Sequence, residues 1–175
     1  MTRIVFEDVS KIYGDRPRQV QDAMALLRQN VPSDEIFART GCRVGLRHIS
    51  LEIPSGGIFC VIGLSGSGKS TLVRHINRLI EPSCGRIQAC DIDVTALDAR
   101  GLREFRRARV SMVFQHFGLL PHLTVMQNTC FGLRVRGLSA KEQRERAYHW
   151  LREMELADMA DSYPEQLSGG MRQRV

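Results

Sequence analysis

Hydrophobic and polar positions alternate at the start of the chain, in Ile4-Val5-Phe6-Glu7-Asp8-Val9 and again in Lys11-Ile12-Tyr13. A period of two predicts a β-rich beginning that turns at Gly14. From residue 15 to 40 the pattern changes. Val20, Met24 and Leu27 fall at helical spacing, Pro32-Ser33 opens a second helical stretch over 34–40, and Gly41 stops it. Alternation returns over His48-Ile49-Ser50-Leu51-Glu52-Ile53, so the stretch 15–40 reads as a helical insert between two strands. After the turn Pro54-Ser55-Gly56-Gly57, residues 58–62 form a continuous apolar run of the kind expected of a buried parallel strand. Leu72, Ile76 and Leu79 follow at i, i+4 and i+7, on a helix that stops before Pro82, and residues 58–80 therefore read as strand, glycine loop and helix. Residues 86–89 and 110–114 are further short strand candidates. Ser139 and Glu142 make a capping-box pattern at the head of a helix whose apolar stripe is Ala147, Trp150, Leu151 and Met154. The chain shows no internal repeat and no low-complexity segment.

Composition narrows the class. At 175 residues the chain is one domain or part of one, and 43% apolar with 25% charged residues is ordinary globular usage. Its longest apolar stretch falls far short of the roughly 20 residues needed to cross a bilayer, and the N-terminal residues lack the pattern of a signal peptide. Five cysteines, an odd count without CxxC spacing, point to reduced thiols rather than a disulfide framework or a zinc site. The net charge of +6 invites nucleic acid as a partner. Its densest cluster, Arg100, Arg103, Arg106, Arg107 and Arg109, sits on one helical segment with few aromatics nearby and reads better as a solvated helix face; no nucleic acid is expected.

The chemistry starts at Gly63-Leu64-Ser65-Gly66-Ser67-Gly68-Lys69-Ser70, which satisfies G-x-x-x-x-G-K-[ST] between an apolar run and a helix. The glycines let the backbone curl so that successive N–H groups face inward, and the helix N-terminus adds partial positive charge. Lys69 is placed to reach the β- and γ-phosphates of a nucleotide, the Ser70 hydroxyl to coordinate Mg²⁺, and Thr71 to add a phosphate contact. The loop alone leaves kinases, GTPases, helicases and transporters equally open.

Leu167-Ser168-Gly169-Gly170-Met171-Arg172-Gln173 resembles the signature motif of ABC-type ATPases. The resemblance implies that Leu167, Ser168, Gly169, Gly170 and Gln173 face the γ-phosphate of ATP bound to an opposite subunit; Ser as N-cap and free helix N–H groups suit that task. It also implies that Gln115 is the glutamine that touches Mg²⁺ and the attacking water, the one catalytic position assigned, and that Tyr13 stacks on adenine. By itself a Gln after a strand carries no such meaning, and Tyr13 also fits a packed strand end. Residues 63–85, 112–133 and 163–175, with the insert, resemble the ATP-binding subunit of importers for glycine betaine, proline betaine, choline and similar quaternary amines.

That resemblance implies an α/β fold of the P-loop NTPase, ABC ATPase type: a β-rich N-terminal part, parallel core strands, and a helical subdomain from about 116 to 175 that ends in the signature motif. It implies ATP and Mg²⁺ as cofactors and ATP hydrolysis coupled to transport. The partners implied are a second ATP-binding subunit, membrane permease subunits and, indirectly, a substrate-binding protein, at the cytoplasmic face of the inner membrane. The family's Walker B aspartate, catalytic glutamate and switch histidine find no match in these residues, so 1–175 reads as a single incomplete domain, inactive in hydrolysis alone. The alternatives are a fragment that binds nucleotide without hydrolysis and a soluble ABC ATPase acting on nucleic acid.

Overall fold

The computed structural model describes residues 3–114 and 118–175. It falls into two compact units, Met1–Val110 and Ser111–Val175. Among the described residues no helix is long and apolar enough to cross a membrane.

The first unit is built on a four-stranded antiparallel sheet in the order β2-β1-β3-β4, from β1 (Ile4–Tyr13), β2 (Arg43–Ile53), β3 (Cys84–Ala89) and β4 (Ile92–Asp93). The alternating segments at 4–13 and 48–53 are thus paired strands, with Ile4 opposite Ile53 and Tyr13 opposite Arg43. Register shifts between Phe6 and Val9, where Asp8 has φ 49°, break the period of two in β1. A one-residue shift moves the following side chains to the other face. Phe6 and Val9 consequently pack with Leu46, Ile87 and Leu72 of α3 (Lys69–Ile76), while Ile12 packs with the helices between β1 and β2. Those helices, α1 (Pro17–Arg28) and α2 (Ser33–Thr40), bury Ala23, Met24, Leu27 and Ile36, and Gly41 ends α2 in the left-handed region at φ 71°. Helix α4 (Ala99–Ala108) buries Phe105 against Ala89 and Val94. Its Arg106 donates to the carbonyls of Asn77 and Arg78 just past the end of α3, so one member of the arginine cluster caps a neighbouring helix instead of being merely solvated.

Two expectations change. Residues 58–62 join no strand, and Ile58 and Ile62 are 96% and 92% exposed; residues 110–114 likewise carry no ladder, with Val113 exposed. The physical reason is pairing. A parallel strand owes its hydrogen bonds and its burial to neighbours on both sides, and among the described residues no strand pairs with either run; the sheet there consists of four antiparallel strands.

The second unit contains α5 (Val125–Val135), α6 (Ala140–Glu153), two short 3₁₀ turns at Ala157–Met159 and Pro164–Gln166, and α7 (Gly169–Arg174). Capping boxes open α5 at Thr124 with Gln127 and α6 at Ser139 with Glu142. The Glu142 carboxyl is held below its ordinary range by hydrogen bonds from the Ser139 hydroxyl and backbone. Val125, Leu151, Leu156 and Leu167 form the core. The stripe foreseen on α6 is narrower than the spacing suggests: Ala147 and Leu151 are buried, whereas Trp150 and Met154 are exposed.

Candidate nucleotide-binding site

Helix α3 begins at Lys69 after Gly68, which has φ 87° and no side chain to cap the helix; the first turn carries no acidic residue. Among the described residues no N-cap side chain satisfies its leading N–H groups, and free N–H groups with their partial positive charge are the condition for receiving an anion. A Cβ on Gly68 would lie 2.7 Å from the Gly45 carbonyl oxygen, so the loop backbone rests directly on β2. A Cβ on Gly63 would lie 2.7 Å from Ser67 Oγ, and Ser67 N donates to the Leu64 carbonyl at 3.2 Å.

Into this curl folds Lys69. Its ammonium donates to the carbonyls of Gly63 and Leu64, both at 2.7 Å, and to Ser67 Oγ at 3.3 Å. A flexible ammonium on three neutral oxygens can transfer its donors to phosphate oxygens, which are charged and stronger acceptors. Ser65, Gly66, Ser67 and Ser70 are exposed along the loop, and Ser70 lies one residue into the helix with its hydroxyl available to a cation. The residues present thus fit a polyphosphate with its metal on the chemistry of the donor set.

Tyr13, at the end of β1, is brought to the same place. Its hydroxyl lies 3.2 Å from Thr71 Oγ1 on α3. Lys11 sits with its ammonium 5.3 Å from the Tyr13 ring centroid, held by a bond to the Glu81 carbonyl at 2.8 Å; burial lowers the Lys11 pKa while Glu81 opposes that shift. Gly45 gives the ring its room, since a Cβ there would stand 2.5 Å from the ring. Sequence reasoning missed Lys11 and Gly45. Gly45 is revealed only by the register that sets β2 beside β1, whereas Lys11, two residues before Tyr13 on the same strand, could have been read from the period of two.

The Leu167–Gln173 stretch lies in the second unit. Leu167 is buried and anchors the segment. Ser168 caps α7, its Oγ accepting from Met171 N at 3.2 Å, which leaves the hydroxyl proton free to donate. Gly169, Gly170 and Gln173 are exposed, and a Cβ on either glycine would meet nothing within 4 Å. Gln115 lies outside the described residues.

A family model described as ABC transporter matches residues 46–175. The glycine betaine/proline betaine transport system ATP-binding protein of Escherichia coli is 44% identical over 173 residues, 99% of this chain and 42% of that protein. The glycine betaine/carnitine transport ATP-binding protein of Listeria monocytogenes is 42% identical over 175 residues, 100% of this chain and 43% of its own. A methionine import ATP-binding protein of Xanthomonas oryzae is 50% identical over 132 residues, 75% of this chain and 39% of its own. Among solved structures, an ATP-binding cassette in a dimeric post-hydrolysis state bound to ADP and phosphate superposes with a TM-score of 0.76 at 30% identity, over 98% of this chain and 66% of that one.

Proposed function

This chain belongs to the ABC transporter family, with the fold of an ATP-binding cassette, and on that premise we propose that it is the nucleotide-binding part of an energy-coupling subunit. The observation that carries the reading is the loop of residues 63–70, where the Lys69 ammonium is gathered onto loop oxygens at the uncapped start of α3.

In this reading Gly63, Ser65, Gly66, Ser67 and Gly68 wrap the phosphates with backbone N–H groups, Lys69 moves from its own carbonyls to the β- and γ-phosphates, and Ser70 holds Mg²⁺. A Mg²⁺ held there would offset the charge of the phosphates. Tyr13 stacks on the base and Thr71 adds a hydroxyl to the phosphates. Ser168, Gly169, Gly170 and Gln173, anchored by Leu167, face the nucleotide of a second ATP-binding subunit, and Gln115 serves the metal and the attacking water. ATP favours closure of the pair because it touches both members. Closure then acts on membrane permease subunits at the cytoplasmic face of the inner membrane, and ATP hydrolysis resets the cycle.

The cargo proposed is a quaternary amine of the glycine betaine type. Its support is that the betaine-transport relatives match the chain across the α1–α2 insert, whereas the methionine-import relatives match 75% of it. The chain spans 42% of the length of the E. coli relative. The test is ATP affinity in Lys69→Ala, expected to fall about tenfold or more from the loss of charge-assisted hydrogen bonds. An unchanged affinity would remove the assignment.

A further inference from the structure

Tyr13 is held from three directions at once. Lys11 stands over its ring, Gly45 leaves space at its edge, and its hydroxyl meets the Thr71 hydroxyl at 3.2 Å. A stacking platform needs only a ring; the hydroxyl is surplus to that task. Thr71 is in the first turn of α3, two residues after Lys69, where the proposed phosphates bind. A hydroxyl has one proton to give and two lone pairs to accept with. When Thr71 donates its proton to a phosphate oxygen, its own oxygen is left as the acceptor facing Tyr13.

We propose that the Tyr13 hydroxyl is a positioning group that couples base recognition to phosphate binding through Thr71, in a relay from Tyr13 O–H to Thr71 O–H to phosphate. The inference rests on the reading of residues 63–71 and Tyr13 as the nucleotide site. The phosphate orients the Thr71 hydroxyl, Thr71 fixes the Tyr13 hydroxyl, and with Lys11 and Gly45 constraining the ring the base meets a platform already in place. Consecutive hydroxyl bonds of this kind polarise one another. Ordering the ring before the base arrives removes part of the entropic cost of binding. The class of ligand favoured is thus a nucleoside triphosphate over the bare polyphosphate, and the preference is set by a residue that need not touch the phosphates.

The experiment measures the affinities of ATP and of inorganic tripolyphosphate for the 175-residue chain and its Tyr13→Phe, Thr71→Val, double and Tyr13→Ala variants, with circular dichroism on each to verify folding. Tyr13→Phe keeps the ring. The relay predicts that it lowers ATP affinity about fivefold, the scale of one hydrogen bond, and lowers tripolyphosphate affinity by distinctly less, because that ligand meets only the Thr71 end of the relay. It also predicts that adding Tyr13→Phe to Thr71→Val costs little more. Equal losses for both ligands, independent losses that multiply in the double variant, or a Tyr13→Phe affinity equal to the parent's beside a weakened Tyr13→Ala would overturn the relay alone. An unchanged ATP affinity in Tyr13→Ala would overturn the stacking reading and the relay with it.

Discussion

His75, one turn beyond Thr71 on α3, is fully buried. Its Nδ1 donates to the Thr71 carbonyl at 2.6 Å, while Nε2 has no hydrogen-bond partner among the described residues. Burial lowers its pKa, with the nearby Lys11 charge acting the same way; the Thr71 bond and Glu81 act against the shift. A histidine depressed in the folded state binds its proton more readily when unfolded. Its contribution is therefore complete above about pH 6.5, the ordinary histidine value, and is lost as the pH falls below it toward the folded pKa. Urea-unfolding midpoints should accordingly drop between pH 7.5 and 5.5, and drop less steeply in His75→Gln, whose amide keeps a donor for Thr71. The same slope in both proteins would place the dependence on other groups.

Among the elements, the run at 58–62 is the most open to test, because its composition and its surroundings disagree. An exposed Ile58 and Ile62 predict that the double substitution to Ser changes stability by no more than about 0.5 kcal/mol, the range of surface positions, and reduces the binding of a hydrophobic dye. A loss of several kcal/mol on denaturant unfolding would mean that the run is buried. Five apolar residues in a row announce a strand that wants two neighbours, but only long-range pairing decides whether it has them. The local signals were the legible ones: the alternation of β1, the helices at 17–40 with their Gly41 stop, the Ser139 box, and the glycine loop with Lys69 at its end. The Thr124 box of α5, with Gln127 three residues on, has the same form as the Ser139 box and could have been read the same way. Gly45 and the Thr71 contact with Tyr13 were beyond reach, because each depends on β1, β2 and α3 meeting across long stretches of chain, 58 residues between Tyr13 and Thr71.

On the scale of the whole molecule, the residues proposed to hold the phosphates and base belong to Met1–Val110, and those proposed to face a second subunit's nucleotide belong to Ser111–Val175. Each unit has its own core, Phe6 with Leu72 and Ile87 in one and Val125 with Leu151 and Leu167 in the other. This division makes the two nucleotide contacts separable by concentration. A ligand stabilises the structure it binds, so in dilute solution, where chains seldom meet, ATP should slow amide exchange across the loop and α3 at 63–76 and leave α5 and α6 near their ATP-free rates. Raising the chain concentration brings signature segments to nucleotides held by other chains, and protection should then extend to residues 168–174. Lys69→Ala should abolish both effects, because the second contact is made through nucleotide already held by the first. Protection of 168–174 that is independent of chain concentration would instead mean that the segment meets ATP within its own chain, and the assignment of Ser168, Gly169 and Gly170 to an opposite subunit would fall.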